Sequence, residues 1–213
     1  MVRLSSDNLL ELIPAPPQER ADAARNRTRI LAAAEDLFAA RGACNVSMDA
    51  IAEAAGVGKG TLYRRFRDQA GLAMALLEDK ERRLQDAVLR GEPPLGPGAA
   101  PDVRLIAFVD ALVDLLEAHT ELHVLSESAS SGARYRSGLY AFYRLHVQIL
   151  LREIFPGRDA EYLSHALLAQ LQADLFVYLR DEREMSIDRI KDGARALTTA
   201  LVGTTSRVEE SAD

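Results

Sequence analysis

The chain has 213 residues, 48% of them hydrophobic, with one cysteine and a formal net charge of −6. That length can bury a sizeable core, and a single cysteine (Cys44) excludes an intrachain disulfide and suits a reducing compartment. No apolar run approaches the roughly 20 residues of a membrane span, and no signal peptide is read near Asp7 and Glu11, so a cytoplasmic location is expected.

Charge is unevenly distributed. Residues 20–67 hold nine Lys/Arg against five Asp/Glu, a net of +4, which leaves 17 against 27, or −10, elsewhere. A basic head on an acidic body is expected when only the head meets a polyanion.

In chain order, residues 1–22 contain Pro14, Pro16 and Pro17 and read as a mobile tail, with Leu9, Leu10, Leu12 and Ile13 enough for one docking turn at most. Arg20, Arg25, Arg27 and Arg29 lead into the first helix as a basic arm suited to a minor groove or flanking phosphates, or to plain solvation. Ile30, Ala34, Leu37 and Phe38 then follow helical spacing. Cys44 is expected to be a small buried residue in the loop before Ser47.

Residues 47–66, SMDAIAEAAGVGKGTLYRRF, read as two short helices around a tight turn. Ser47 is a good N-cap, Asp49 complements the helix dipole, and Ala50, Ile51, Ala54 and Ala55 form an apolar stripe. Gly56 suits the left-handed residue that ends the first helix, and Val57 plugs the turn. In the second helix Leu62 and Phe66 share a face, which leaves Lys59, Thr61, Tyr63, Arg64 and Arg65 outward. Gly60 permits close backbone approach, while hydroxyl and basic side chains suit phosphates and base edges. This is the helix-turn-helix arrangement for reading a major groove, the bland alternative being a helical hairpin with a solvated basic face.

These residues carry a resemblance. Arg29-Ile30-Leu31-Ala32-Ala33-Ala34, Leu37-Phe38, Arg41-Gly42, Ser47-Met48, Ile51-Ala52, Ala55-Gly56-Val57 and Gly60-Thr61-Leu62-Tyr63-Arg64-Arg65-Phe66 make residues 25–80 similar to the DNA-binding domain of TetR/AcrR-family transcriptional regulators. The resemblance covers about a quarter of the chain and implies DNA contacts from Ser47, Lys59, Gly60, Thr61, Tyr63 and Arg65. Arg64 and, from the basic arm, Arg29 join them on their own chemistry. Two positions depart from the family pattern: Gly58 stands where a Ser commonly caps the recognition helix, and Asp68-Gln69-Ala70 replaces a common Lys.

A linking helix is predicted from Ala70 to Arg90 on Leu72, Leu76, Leu77 and Leu84, followed by a loop with four prolines and three glycines over residues 91–102. Ile106, Val109, Leu112, Leu115 and Leu116 predict a helix over 103–118. After a break over 126–138, further helices are predicted from Leu139 to Phe155, Ala160 to Leu179 and Ser186 to Leu201. The expected fold is all-α: a three-helix helix-turn-helix head (23–68), joined by a linking helix to a C-terminal helical bundle (69–203) and a frayed tail (204–213).

The body is implied by the resemblance to bind a ligand and to dimerise through its last two long helices. Leu163, Leu167, Leu171, Leu175, Leu197 and Leu201 suit an intersubunit seam, a monomer core, or a mixture. Phe108, Tyr143, His146, Gln170 and Asp174 are the candidate effector contacts, chosen by their position in central helices. His119 and His123 are spaced i, i+4, yet HTELH matches neither zinc-protease pattern, and no nucleophile elbow, phosphate loop or dinucleotide fingerprint is present. No enzyme, metal or cofactor is therefore expected. The expectation is a homodimeric repressor that leaves a near-palindromic operator when a small molecule binds. The alternative is a helical binding or scaffold protein whose head no longer binds DNA.

Overall fold

The computed structural model describes residues 18–128, 130 and 132–203. The expectations for residues 1–17 and 204–213, and for the Cys44 side chain, lie outside the described residues. The chain divides into two compact units, a head ending at Asp68 and a body beginning at Gln69. Among the described residues there are helices and turns but no strand.

In the head, α1 (Gln18–Arg41) begins directly after Pro16-Pro17, so Arg20 belongs to a helix and not to a tail. Proline is tolerated just before or at the start of a helix, where its missing N–H forfeits no bond. Ile30, Leu31, Ala34 and Phe38 are buried along one stripe of α1, Leu31 taking the place expected of Leu37. Gly42 ends the helix with φ 77°, and a one-turn 3-10 helix (Ala43–Asn45) leads to Ser47. The Ser47 hydroxyl accepts from the Ala50 N–H at 3.2 Å and so caps α2 (Met48–Ala55). Met48, Ile51, Ala52 and Ala55 are buried, whereas Ala54 faces outward. Gly56 follows at φ 61° and ends α2 as expected of a left-handed cap. The third helix, α3 (Lys59–Phe66), packs on α2 and buries Leu62 and Phe66.

In the body, α4 (Gln69–Lys80) and α5 (Arg82–Arg90) replace the single helix expected over 70–90. The interruption is local. Glu81 donates its N–H to Leu77 O at 2.8 Å and accepts from the Gln85 N–H at 3.0 Å, so helical bonds run across it. Pro101 opens α6 (Pro101–Ala118), whose Leu105, Phe108, Val109, Leu112, Val113 and Leu116 form the centre of the body's core. There follow α7 (Thr120–Glu127), a 3-10 turn (Arg134–Arg136) and α8 (Gly138–Ile154), the last capped by Ser137. Asp159 caps α9 (Ala160–Ala169). The expected helix over 160–179 is interrupted here, because Gln172 is extended (φ −80°, ψ 142°) before α10 (Ala173–Val177) and a π-helical turn (Tyr178–Glu182). The last helix is α11 (Ile187–Gly203).

Within the body α6 packs against α8 and α11, α7 against α4, and α9 against α8. Three acidic residues on α6 tie later segments to it: Asp110 to Arg195 (2.9 Å), Asp114 to Lys191 (2.5 Å) and Glu117 to Arg180 (2.8 Å). Such solvent-screened pairs are weak, so they orient the π-helical turn and α11 more than they hold them. No described helix is long and apolar enough to cross a membrane.

Because Leu62 has no exposed surface, Leu62→Ala is expected to destabilise the head by about 2–5 kcal/mol, read as a lower urea midpoint for its unfolding. A shift under about 0.5 kcal/mol, the size of an ordinary surface change, would mean that α3 is not anchored through this residue.

Candidate nucleic-acid interface and a cavity in the helical body

The outward side of α3 is a compact array of donors. Lys59, Gly60, Tyr63, Arg64 and Arg65 are exposed, and Thr61 is half-buried beside them. Tyr63 keeps 46% of its surface in solvent although it lies between two anchoring residues, Leu62 (0%) and Phe66 (6%). An aromatic ring held out by the helix period, next to two arginines, is chemistry for phosphates and base edges. A Cβ at Gly60 would meet nothing within 4 Å, so the residue is not required by packing and leaves the helix tip bare. The same α3 residues Thr61, Arg64 and Arg65 join Asp22, Asn26, Arg27 and Ile30 of α1 around a cleft of about 420 Å³. Asn26 is an addition that the sequence pattern did not single out.

Three of the expected contact residues have work inside the head. Arg29 donates to Ala55 O (2.5 Å) and Gly56 O (3.2 Å), which satisfies carbonyls at the end of α2. Its guanidinium is so close to Gly56 that a Cβ there would approach Nη2 to 2.7 Å. Gly56 thus answers two demands, the left-handed turn and the arginine. Lys59 donates to Asp49 Oδ2 at 2.5 Å, and this hydrogen bond raises the lysine's pKa above its ordinary value. Both partners are exposed, and pairs of this kind are weak enough to be exchanged for a phosphate. Ser47 caps α2 and remains exposed.

The five body residues singled out from sequence do not form one site. Phe108, Tyr143 and His146 do come together: the Phe108 ring meets Tyr143 edge-on at 5.7 Å and His146 at 4.7 Å. Burial pushes the His146 pKa down to about 4, with Arg104 adding to the effect, so the ring behaves as a neutral core group. Gln170 lies in the break after α9 with its Nε2 buried and without a hydrogen-bond partner, and Asp174 is exposed on the short α10. Of the six leucines considered for a seam, Leu167 and Leu171 are buried in the body, Leu163 and Leu201 are half-buried, and Leu175 and Leu197 are exposed.

A different set of side chains converges on a cavity of about 40 Å³. Its walls include Glu81, His123, Arg134, Tyr140, Tyr143 and the apolar Met74, Leu77 and Leu139. Glu81 has no exposed surface, which is rare for a carboxylate without a cationic partner. Tyr143 donates its hydroxyl proton to Glu81 Oε2. The other oxygen, Oε1, has no hydrogen-bond partner, and neither do His123 Nε2 at 3.5 Å from it nor the buried Nε of Arg134. Arg134 directs Nη1 to Glu127 Oε1 at 2.7 Å and Nη2 to Leu168 O at 3.3 Å. The signal for Glu81 was in the sequence: it lies four residues after Leu77 and three before Leu84, on the linking helix's apolar side. Among the described residues no group of three or more His, Cys, Asp or Glu side chains is placed to hold a metal ion.

Desolvation sets the protonation of this cluster. Burial raises the Glu81 pKa from 4.5 to about 7, although the Tyr143 hydrogen bond and Arg134 pull the other way. Burial, and then the charge of Arg134, push His123 from 6.5 down to about 3, so no ionic pair forms between them near neutral pH. Ionising Glu81 therefore costs more in the folded chain than in the unfolded one. Its contribution to stability is fully present below pH 4.5 and is lost as pH rises through about 7, a change of about 3 kcal/mol. His123 acts oppositely: its contribution is present above 6.5 and lost as pH falls toward about 3. Glu81→Gln removes the first effect, so the variant's melting temperature should exceed that of the unmodified chain at about pH 8 and converge with it near pH 5. A difference that does not change with pH would show that Glu81 titrates in the folded protein as it does in the unfolded chain, so that burial does not shift it.

Comparison with known proteins agrees with this geometry. Residues 30–76, from α1 into α4, match the family model of bacterial regulatory proteins, tetR family. An HTH-type transcriptional regulator of Staphylococcus aureus is 27% identical over 177 residues, 81% of this chain and 92% of the relative. The fold is similar to that of a putative TetR-family transcriptional regulator from Syntrophomonas wolfei, with a TM-score of 0.61 at 20% identity over 83% of this chain and 94% of that one. It is also similar to NalD of Pseudomonas aeruginosa, the secondary repressor of the MexAB-OprM multidrug efflux pump, with a TM-score of 0.52 at 24% identity over 84% and 96% of the two chains. The head thus carries a helix-turn-helix matching the tetR family of bacterial regulatory proteins, and the chain is a DNA-binding transcriptional regulator.

Proposed function

We propose that the protein is a homodimeric repressor whose α3 helices read successive major-groove segments of a near-palindromic operator and leave it when a small molecule occupies the body. The observation that carries the reading is the two-sided α3: Leu62 and Phe66 inward, Lys59, Gly60, Thr61, Tyr63, Arg64 and Arg65 outward. In it Tyr63, Thr61 and Arg65 meet bases or adjacent phosphates, and Gly60 lets the backbone close on the duplex. Ser47, Arg64 and Arg27 supply phosphate contacts, and Lys59 exchanges Asp49 for a phosphate on binding. Arg29 is left out of this set because its guanidinium holds the end of α2.

A dimer suits such a head, since paired recognition helices must span about 34–36 Å or a multiple of it. Exposed Tyr162, Leu175, Tyr178 and Leu197, on α9, α10, the π-helical turn and α11, supply apolar surface for that contact. NalD is described as a repressor, which supports repression as the mode of action here. A role on DNA requires the compartment that holds the chromosome. Effector binding would act by favouring head positions that no longer match adjacent grooves.

Selection from a pool of random duplexes tests this reading. An enriched sequence with two related half-sites is expected, bound with an affinity that falls steeply as salt rises. Tyr63→Ala or Arg65→Ala should weaken that binding by about tenfold or more, while Arg64→Ala should mainly flatten the salt dependence. Sedimentation should show the dimer retained in all three. Unchanged affinity in both Tyr63→Ala and Arg65→Ala would remove α3 as the reading element, and no enrichment at low salt would leave a helical binding protein with an inactive head.

A further inference from the structure

We infer that the cavity bounded by Glu81, His123 and Arg134 is a binding site for a primary alkylammonium group carried on a short apolar body. The inference rests on the reading of the body as the effector domain only for its link to DNA release; the site itself stands on the side chains. Glu81 Oε1 and His123 Nε2 are two buried atoms without partners, 3.5 Å apart and on the wall of one cavity. An ammonium nitrogen carries three donors and no acceptor, so one such group can donate to both atoms at once. His123 is held neutral by burial, which leaves it free to present a lone pair from Nε2 and removes any repulsion of a cation.

The charges select the same class of ligand. Arg134 is paired with Glu127, so ionised Glu81 is the surplus charge at the cavity, and an entering cation neutralises it. A carboxylate ligand would instead add a second negative charge in a desolvated place, at high cost. Beside the rings of Tyr140 and Tyr143, the side chains of Met74, Leu77 and Leu139 supply apolar wall for a short alkyl body. The volume of about 40 Å³ admits a group of a few heavy atoms but not a long chain.

Binding requires the ionised form of Glu81, so the ligand competes with a proton. The groups facing this carboxyl are Glu78 on its own helix, His123 and Glu127 on α7 with His119 acting through His123, Arg134 in the 3-10 turn, and Tyr143 on α8. Glu81 itself titrates near 7, whereas burial moves His123 below and Tyr143 above the range between pH 6 and 8.

Titration calorimetry of the full chain with n-butylammonium, 1-butanol and butyrate tests the assignment, since the three differ mainly in charge. Only n-butylammonium is expected to bind, about tenfold more tightly at about pH 8 than at pH 6. Glu81→Gln, with its fold checked by circular dichroism, should lose that binding. Preference for butyrate would make this an anion site built on Arg134, equal binding of all three would make it an apolar crevice, and no binding at millimolar concentration would remove the site; each overturns the inference. The pH and charge preferences of the unmodified chain decide the matter even if the variant misfolds. If n-butylammonium binds as expected yet leaves a selected duplex bound, the cavity assignment stands and the effector-release reading fails.

Discussion

Leu62 and Phe66, side chains of an eight-residue helix, hold the outward, donor-rich face of α3 in place. Two turns of helix have no stability of their own in water, because nucleation is costly and few bonds follow it. The helix exists because this pair is buried against the rest of the head. Burial of two residues four apart also sets the rotation of α3, and rotation decides which side chains face outward. Tyr63, Arg64 and Arg65 are exposed for that reason and not through any preference of their own. The Arg29 bonds to Ala55 O and Gly56 O add a second constraint, tying α1 to the turn from which α3 departs.

The body follows a different physical logic. Its centre is Phe108 and the leucine and valine residues of α6, with the neutral His146 ring packed edge-on against Phe108. Away from that centre, the junction of α4 and α5 buries a carboxyl that its surroundings only half satisfy. A structure optimised for stability alone would place an apolar residue there, since replacing a buried charge by a well-packed apolar group is often neutral or favourable. Keeping Glu81 costs stability above about pH 7, and that cost is intelligible if a ligand or partner relieves it.

What was legible in the sequence divides along the same line. Helix ends in the head follow from local chemistry: the Ser47 cap, the left-handed Gly56, and the i, i+4 pair of Leu62 and Phe66 all act within a few residues of where they stand. The all-α class was legible because helical periodicity persists along the chain. Interruptions were harder. Nothing local announces the break at Glu81, across which helical bonds continue, or the extended Gln172 inside an apolar run. The residues around the cavity were least legible, because a cavity is made by residues far apart in sequence. Phe108, Tyr143 and His146 were found together but largely as core, while Arg134 came from a segment that read only as a loop. Glu81 stood on the apolar stripe between Leu77 and Leu84, a visible anomaly that points to burial but not to what it would face.

The most direct test of the DNA-reading face is photocrosslinking from position 63. The full chain carrying p-azidophenylalanine in place of Tyr63 would be bound to a selected duplex and irradiated, and the crosslinked nucleotides mapped. Crosslinks at two symmetry-related positions, separated by about one helical turn or a multiple of it, are the expected result. Efficient binding without any crosslink from position 63 would mean that another surface of the head meets the DNA, and would contradict the assignment of α3 as the reading helix.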